Sequence, residues 1–154
     1  MITDAAFRSA QRRGCLLTCS LGYEHHTPDS FFAELHVLGA EVLADVRGMT
    51  WGRYVKRGFD RESLAQRCQA EGIQYAPFRE LGIPAEIRNR LLGTRQKKTA
   101  TDYEKLFEWY DYQLTAVVPT LARLRALCQT RTVCLVCKEA DPACCHRSRI
   151  LRVL

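Results

Sequence analysis

The chain has 154 residues, 47% of them hydrophobic, which is enough for one domain with a real core. No apolar run approaches the roughly 20 residues of a membrane span. The polar stretch from Met1 to Gly14 lacks the apolar centre of a secretory signal, so a cytoplasmic protein without a membrane partner is expected. The net charge of +6 suits an anionic partner such as a nucleotide or nucleic acid, although no block of like charge is long enough to act as a binding arm.

Eight cysteines are present, and in the cytoplasm they are expected as reduced thiols. Cys15, Cys19, Cys128 and Cys134 sit in apolar runs and read as small hydrophobes. Cys137, Cys144 and Cys145 lie in loop-like sequence and need another explanation.

In chain order, the run Cys15-Leu16-Leu17-Thr18-Cys19-Ser20 predicts a buried strand that ends in a tight turn at Gly22. Thr27-Pro28 opens a helix, with Thr27 as N-cap and Pro28 at the first helical position. Phe31, Leu35 and Leu38 share its inner face, and Gly39 ends it. A second buried strand covers Glu41 to Arg47. In the loop from Gly48 to Gly58, Trp51 and Tyr54 are interleaved with Arg53, Lys56 and Arg57, a composition that can stack bases and hold phosphates. Trp51 is expected to pack on the core, with Tyr54 and the basic groups facing a ligand.

Asp60 caps a helix from Arg61 to about Glu71, terminated by Gly72. Ile73 to Pro77 is a third strand, and Leu81-Gly82-Ile83-Pro84 breaks the chain before a basic helix, Ala85 to Leu92. Thr94 to Thr99 reads as an exposed loop. Thr101-Asp102-Tyr103-Glu104 has the form of a capping box, and Tyr103, Phe107, Tyr110 and Leu114 then recur at helical spacing as a core stripe. Pro119 breaks or restarts this helix, which runs on to Cys128. The last strand is Thr132 to Cys137, and the last helix starts at His146.

This alternation predicts an α/β protein: a single Rossmann-like domain, mostly parallel sheet with helices on both faces. Residues 1–14 read as an N-terminal extension and 15–154 as the domain. Parallel strands bring their carboxyl ends to one edge, where ligands bind. The groups expected to converge there are Gly22 and Tyr23, Asp45 and Arg47, Tyr75 and Arg79, and Cys137 and Glu139.

The densest chemistry lies between Cys134 and Arg147, and three readings fit it. In the first, a helix starting near Cys145-His146-Arg147 turns free N–H groups toward the strand tips as an anion site. Arg147, Arg149 and Arg47 would add guanidinium forks for phosphate, although Arg47 could equally neutralise Asp45 or Glu139. In the second, Cys137 or Cys145 is a thiol activated by His146 and the arginines, with Glu139 and Asp45 as acid or base. The spacing of Cys144 and Arg149 also matches rhodanese-like loops, a weak signal alone.

The third reading is zinc, because Cys134, Cys137, Cys144, Cys145 and His146 are suitable ligand types. Strand alternation counts against it, since Cys134 and Cys137 should point to opposite faces. What is left is Cys137, Cys145 and His146, so zinc is the least favoured of the three. No other cofactor is indicated, because neither the GxGxxG nor the GxxxxGK phosphate loop occurs.

Several segments together resemble the DUF488 family. They are Thr18-Cys19-Ser20-Leu21-Gly22-Tyr23-Glu24, Asp45-Val46-Arg47, Gly72-Ile73-Gln74-Tyr75, Glu80-Leu81-Gly82-Ile83-Pro84, and Cys137 through Arg147. The resemblance implies a compact Rossmann-like domain and no established reaction. It carries Asp45, Arg47, Cys137, Glu139, Cys145, His146 and Arg147 as signature positions, while Cys134 and Cys144 are additions of this chain. Family members tend to have an Ile-Gly step where this chain has Cys19-Ser20-Leu21-Gly22. Enzyme or non-catalytic binding domain, and oligomeric state, are left open.

Overall fold

The computed structural model describes residues 18–93 and 98–154. The expected extension 1–14, Cys15 and most of the expected Thr94–Thr99 loop lie outside the described residues. Strands β1 (Thr18–Gly22), β2 (Val42–Asp45), β3 (Gln74–Pro77) and β4 (Val133–Cys137) form one sheet in the order β1-β4-β2-β3. Every pairing in it is parallel, with Ser20 opposite Leu135, and Leu135 in turn opposite Ala44. Among the described residues six helices accompany the strands: α1 (Pro28–Val37), α2 (Arg61–Glu71), α3 (Ala85–Leu92), α4 (Ala100–Ala116) and α5 (Val118–Thr130) connect them, and α6 (Arg147–Val153) follows β4.

Local chemistry accounts for most boundaries. Thr27 caps α1 by accepting from the Ser30 N–H, and Asp60 caps α2 by accepting from the Ser63 N–H, both as the sequence predicts. Pro119 lies in the first turn of α5, where its missing N–H costs nothing. The start of α4 differs from expectation. Thr99, not Thr101, is the N-cap, and Asp102 reaches back to the Thr99 N–H at 2.8 Å to complete the box. Two overlapping Thr-x-x-acid patterns occur here, and the earlier one closes. Short 3-10 turns at Arg79–Leu81 and Pro142–Cys144 were not anticipated from the pattern of apolar residues.

Period-two alternation along the buried strands divides the core between the two faces of the sheet. Leu43, Cys134 and Val136 pack with Phe31, Phe32 and Leu35 of α1 and Leu64 and Cys68 of α2. Val42, Ala44, Val133 and Leu135 pack with Tyr110 and Leu114 of α4, Leu121 and Leu124 of α5, and Ile150 and Leu151 of α6. The chain therefore leaves β1 and β2 toward one face and β4 toward the other. Where neighbouring strands send their chains to opposite faces, the connecting loops part and a crevice opens at the carboxyl edge. Among the described residues, no helix is long and apolar enough to cross a membrane.

Candidate functional site

A pocket of about 420 Å³ occupies that crevice. Tyr23 comes to it from the end of β1, Arg47, Gly48, Met49, Trp51, Tyr54 and Val55 from the loop after β2, Arg79, Ile83 and Arg88 from the turn after β3 and from α3, Cys137, Lys138 and Glu139 from the end of β4, and His146 from just before α6. Its size falls in the roughly 300–1,000 Å³ range of small-molecule sites. Of the groups expected to converge, Tyr23, Arg47, Arg79, Cys137 and Glu139 line the pocket, whereas Gly22, Asp45 and Tyr75 stand behind it.

Behind the pocket, Asp45 and Arg47 are bound to each other. Arg47 Nε donates to Asp45 Oδ1 at 2.8 Å and Nη2 donates to Oδ2 at 2.6 Å. Tyr75 Oη donates to the same Oδ2 at 2.6 Å, and Arg47 Nη1 donates to the Phe59 carbonyl at 2.6 Å and to Tyr23 Oη at 3.3 Å. Asp45 is 1% exposed and Arg47 4%. Burial disfavours the guanidinium charge, but the bonds and charge of Asp45 outweigh it and hold the Arg47 pKa above its ordinary value. Of the two roles open to Arg47, neutralising Asp45 is the one its geometry serves. Asp45, with its carboxylate occupied, supports the wall and lies away from the pocket.

Gly22 also has a packing role. A Cβ there would stand 1.8 Å from the Glu139 carbonyl oxygen, a backbone atom with little freedom to move. The absence of a side chain lets the segment after β4 cross directly over the end of β1. That segment is fixed in addition by Tyr23 N–H to the Cys137 carbonyl at 3.1 Å and Glu24 N–H to the Lys138 carbonyl at 2.9 Å.

The floor is a sulfur–imidazole cluster. Cys137 is the last residue of β4 and points to the α4–α6 face, while Cys134 points to the opposite face and packs beside Cys19, as alternation requires. Cys145 and His146 follow the Pro142–Cys144 turn. His146 Nδ1 lies 4.0 Å from Cys137 Sγ and 3.9 Å from Cys145 Sγ, while Nε2 is 2.9 Å from the Val46 carbonyl. A carbonyl can only accept, so Nε2 carries the proton. The Tyr110 ring meets the imidazole edge-on at 5.2 Å. Glu139 Oε2 accepts from Cys137 Sγ at 3.2 Å, and Oε1 pairs with Arg88 at 2.7 Å.

Arg147 is fully buried. Its Nε donates to Cys145 Sγ at 3.2 Å and its Nη2 to the Glu139 carbonyl at 2.5 Å. It therefore braces the cluster from below and does not enter the pocket. Burial pushes the Cys145 thiol up, but the Cys137 hydrogen bond, His146 and Arg147 outweigh it and bring the pKa well below the ordinary thiol value. Cys137 moves the opposite way, raised first by its hydrogen bond to Cys145, then by burial and by the Cys145 and Glu139 charges. Burial lowers the His146 pKa, yet Cys145 and the Val46 carbonyl raise it to a net upward shift. The two thiols are therefore driven apart, with Cys145 the more acidic and Cys137 the hydrogen-bond donor.

At the start of α6, where an anion site is expected, two of the first backbone donors are already bonded. The Ser148 N–H is bonded to the Cys145 carbonyl at 3.2 Å and the Arg149 N–H to the His146 carbonyl at 3.0 Å. The short helix thus uses these two donors in tight turns of its own. Arg149 pairs with Asp111 of α4, and Cys144 turns to Asp141, so the rhodanese-like spacing produces no shared loop. Trp51 departs from expectation too. It is 55% exposed and lies against the Arg79 guanidinium, 4.6 Å from ring centroid to Cζ, on the pocket wall. Tyr54 is 71% exposed on the same wall, with Arg53 donating to its hydroxyl at 2.7 Å.

Sequence reading missed Arg88, Lys138 and Met49 as pocket residues. The basic character of α3 was visible, but its position over the end of β4 comes from packing. The glycines at 48 and 82 were the available signal. A Cβ on Gly82 would lie 2.1 Å from the Gly48 N atom, so these two loops must touch.

Fold and site together define an all-parallel α/β domain with a cysteine, histidine and glutamate cluster at the carboxyl edge of its sheet. The model of the family described as Domain of unknown function DUF488 matches residues 27–154, and the chain belongs to that family. No curated protein and no solved structure matches the chain.

Proposed function

We propose that the pocket binds a nucleotide-sized anionic ligand and holds it against the Cys137, Glu139, Cys145 and His146 cluster, which acts on it. The observation that carries this is the sorting of the lining: aromatic faces and free cations on the walls, acid–base groups on the floor. Trp51 and Tyr54 offer exposed rings to a base, and base–aromatic stacking contributes about 1–3 kcal/mol. Among the described residues, Arg79 and Lys138 line the pocket without an ion-pair partner and are the cations available to phosphate. Arg88 is shared with Glu139, and Arg47 is committed to Asp45. A volume of about 420 Å³ favours a mononucleotide, or one nucleotide of a flexible strand, over a duplex.

Calorimetric titration at low salt with nucleoside, nucleoside phosphates and inorganic phosphate tests the proposal. Nucleoside phosphates should bind more tightly than either half alone. Arg79→Ala and Lys138→Ala should each weaken binding about tenfold, since a hydrogen bond to a charged group contributes about 1.5–3 kcal/mol. Trp51→Ala should weaken phosphorylated and unphosphorylated nucleosides alike. Absence of binding across the panel, or affinity indifferent to these variants, would sink the proposal.

A further inference from the structure

We propose that Cys137, Cys145 and His146 are the ligands of a zinc ion whose fourth position opens into the pocket beside Glu139. Their donor atoms all lie within 4.8 Å of one another and all three residues are buried. Zinc–sulfur bonds of about 2.3 Å and a zinc–nitrogen bond of about 2.0 Å, at a tetrahedral angle, put sulfur and nitrogen about 3.5 Å apart and the two sulfurs about 3.8 Å apart. The two sulfur–nitrogen spacings, 3.9 and 4.0 Å, exceed the first by about half an ångström, a contraction that small side-chain rotations supply.

Orientation is the second and independent observation. His146 gives Nε2–H to the Val46 carbonyl at 2.9 Å, which leaves Nδ1 as the free lone pair, aimed at both sulfurs. A ligating histidine almost always carries such a bond on its other nitrogen, fixing tautomer and ring plane. Cys145 Sγ likewise has an outer partner in Arg147 Nε at 3.2 Å. Adjacent residues seldom bind one ion, because their side chains diverge. Here Cys145 is extended (φ −132°, ψ 139°) and His146 helical (φ −62°, ψ −15°), and this break turns both toward Cys137.

The objection that strand alternation separates Cys134 from Cys137 stands, and it selects the ligand set. Cys134 stays in the other half of the core, and Cys145 supplies the second thiolate in its place. Three protein ligands with an open fourth position are the pattern of a catalytic zinc. Cys137 and His146 line the pocket, so that position faces it. Zinc binding would release the Cys137 proton to solvent and leave Glu139 Oε2 without its 3.2 Å donor, beside the open position. A zinc held there would supply an activated water, and Glu139 would be the carboxylate placed to accept its proton.

The role given to the fourth position rests on the pocket taking a ligand; the metal itself is tested without one. The full chain, purified under reducing conditions, should contain close to one zinc per chain by elemental analysis. Cobalt in its place should give the thiolate-to-cobalt absorption of two sulfurs, a readout independent of activity and of any variant. Cys137→Ser and Cys145→Ser should each lower zinc affinity by at least about tenfold, while Cys144→Ser leaves it unchanged. A folded, reduced chain that takes up neither metal overturns the proposal. So does metal retained in the Cys137→Ser, Cys145→Ser double variant, or a Cys137–Cys145 disulfide trapped by alkylation before purification. A folded chain that takes up neither metal yet binds nucleotide would overturn the zinc site alone, and zinc without nucleotide binding would overturn the ligand proposal alone.

Discussion

Asp45 shows how a residue can serve a pocket from behind its wall. Its carboxylate accepts from Arg47 and Tyr75 and sets the guanidinium and phenol that back the wall. Removing one partner of a buried pair strands the other charge away from water, which costs about 3–5 kcal/mol. Asp45→Asn should therefore lower stability by about that much in denaturant unfolding. Tyr75→Phe, which removes one neutral donor, should cost nearer 1 kcal/mol. Equal effects from the two variants would mean that the Asp45–Arg47 pair contributes no more than an ordinary hydrogen bond. The Asp-x-Arg spacing was legible in the sequence. Whether Arg47 turned to its neighbour or to a ligand was not, because both are open to a flexible side chain until Phe59 and Tyr23 close round it.

At the scale of elements, the helices begin where short polar side chains can reach back to free N–H groups. Asp60 caps α2 through the Ser63 N–H at 2.9 Å and also accepts from the Ser63 hydroxyl at 2.7 Å. The Ser63 hydroxyl, then its N–H, hold the Asp60 pKa below the usual carboxylate value. A depressed folded pKa means a contribution complete above the ordinary carboxylate value and lost as pH falls through the depressed one. Asp60→Ala should cost about 1 kcal/mol near neutral pH, with the gap to wild type closing in acid. Parallel denaturation curves of the two proteins across pH check this; a gap constant with pH would mean that the cap acts without its charge. Helices α1 and α2 and their caps could be read locally, because each signal lies within four residues of the end it defines. The start of α4 could not be settled this way, since two capping patterns overlap and only the closed bond distinguishes them. The start of α6 is a related case. Its tight first turn takes up the Ser148 and Arg149 N–H groups, and nothing in the sequence distinguishes that turn from an ordinary one.

At the scale of the whole molecule, the pocket exists because β4 lies between β1 and β2 and sends its chain to the opposite face. Its rim is then held by backbone contact between the Gly48 and Gly82 loops. Gly82→Ala should force these loops apart, costing about 2 kcal/mol as an overpacked contact. It should also weaken ligand binding beyond what the lost stability explains, because Ile83, Pro84 and Arg88 move with the loop. Thermal unfolding and titration on the same variant separate the two effects. Unchanged affinity would show that the far wall takes no part.

The sequence by itself determined the elements, the α/β class and the residues that carry chemistry. These follow from apolar periodicity, capping and the reactivity of Cys, His, Glu and Arg, all of which act over a few positions. Tertiary structure decided how those residues share the work. Packing and burial committed Arg47 to Asp45, moved Trp51 from the core to the wall, and brought Cys145 and His146 to Cys137. Each of these depends on contacts between segments far apart in the chain, where the cost of an unpaired buried charge or an overlapping backbone atom outweighs local preference.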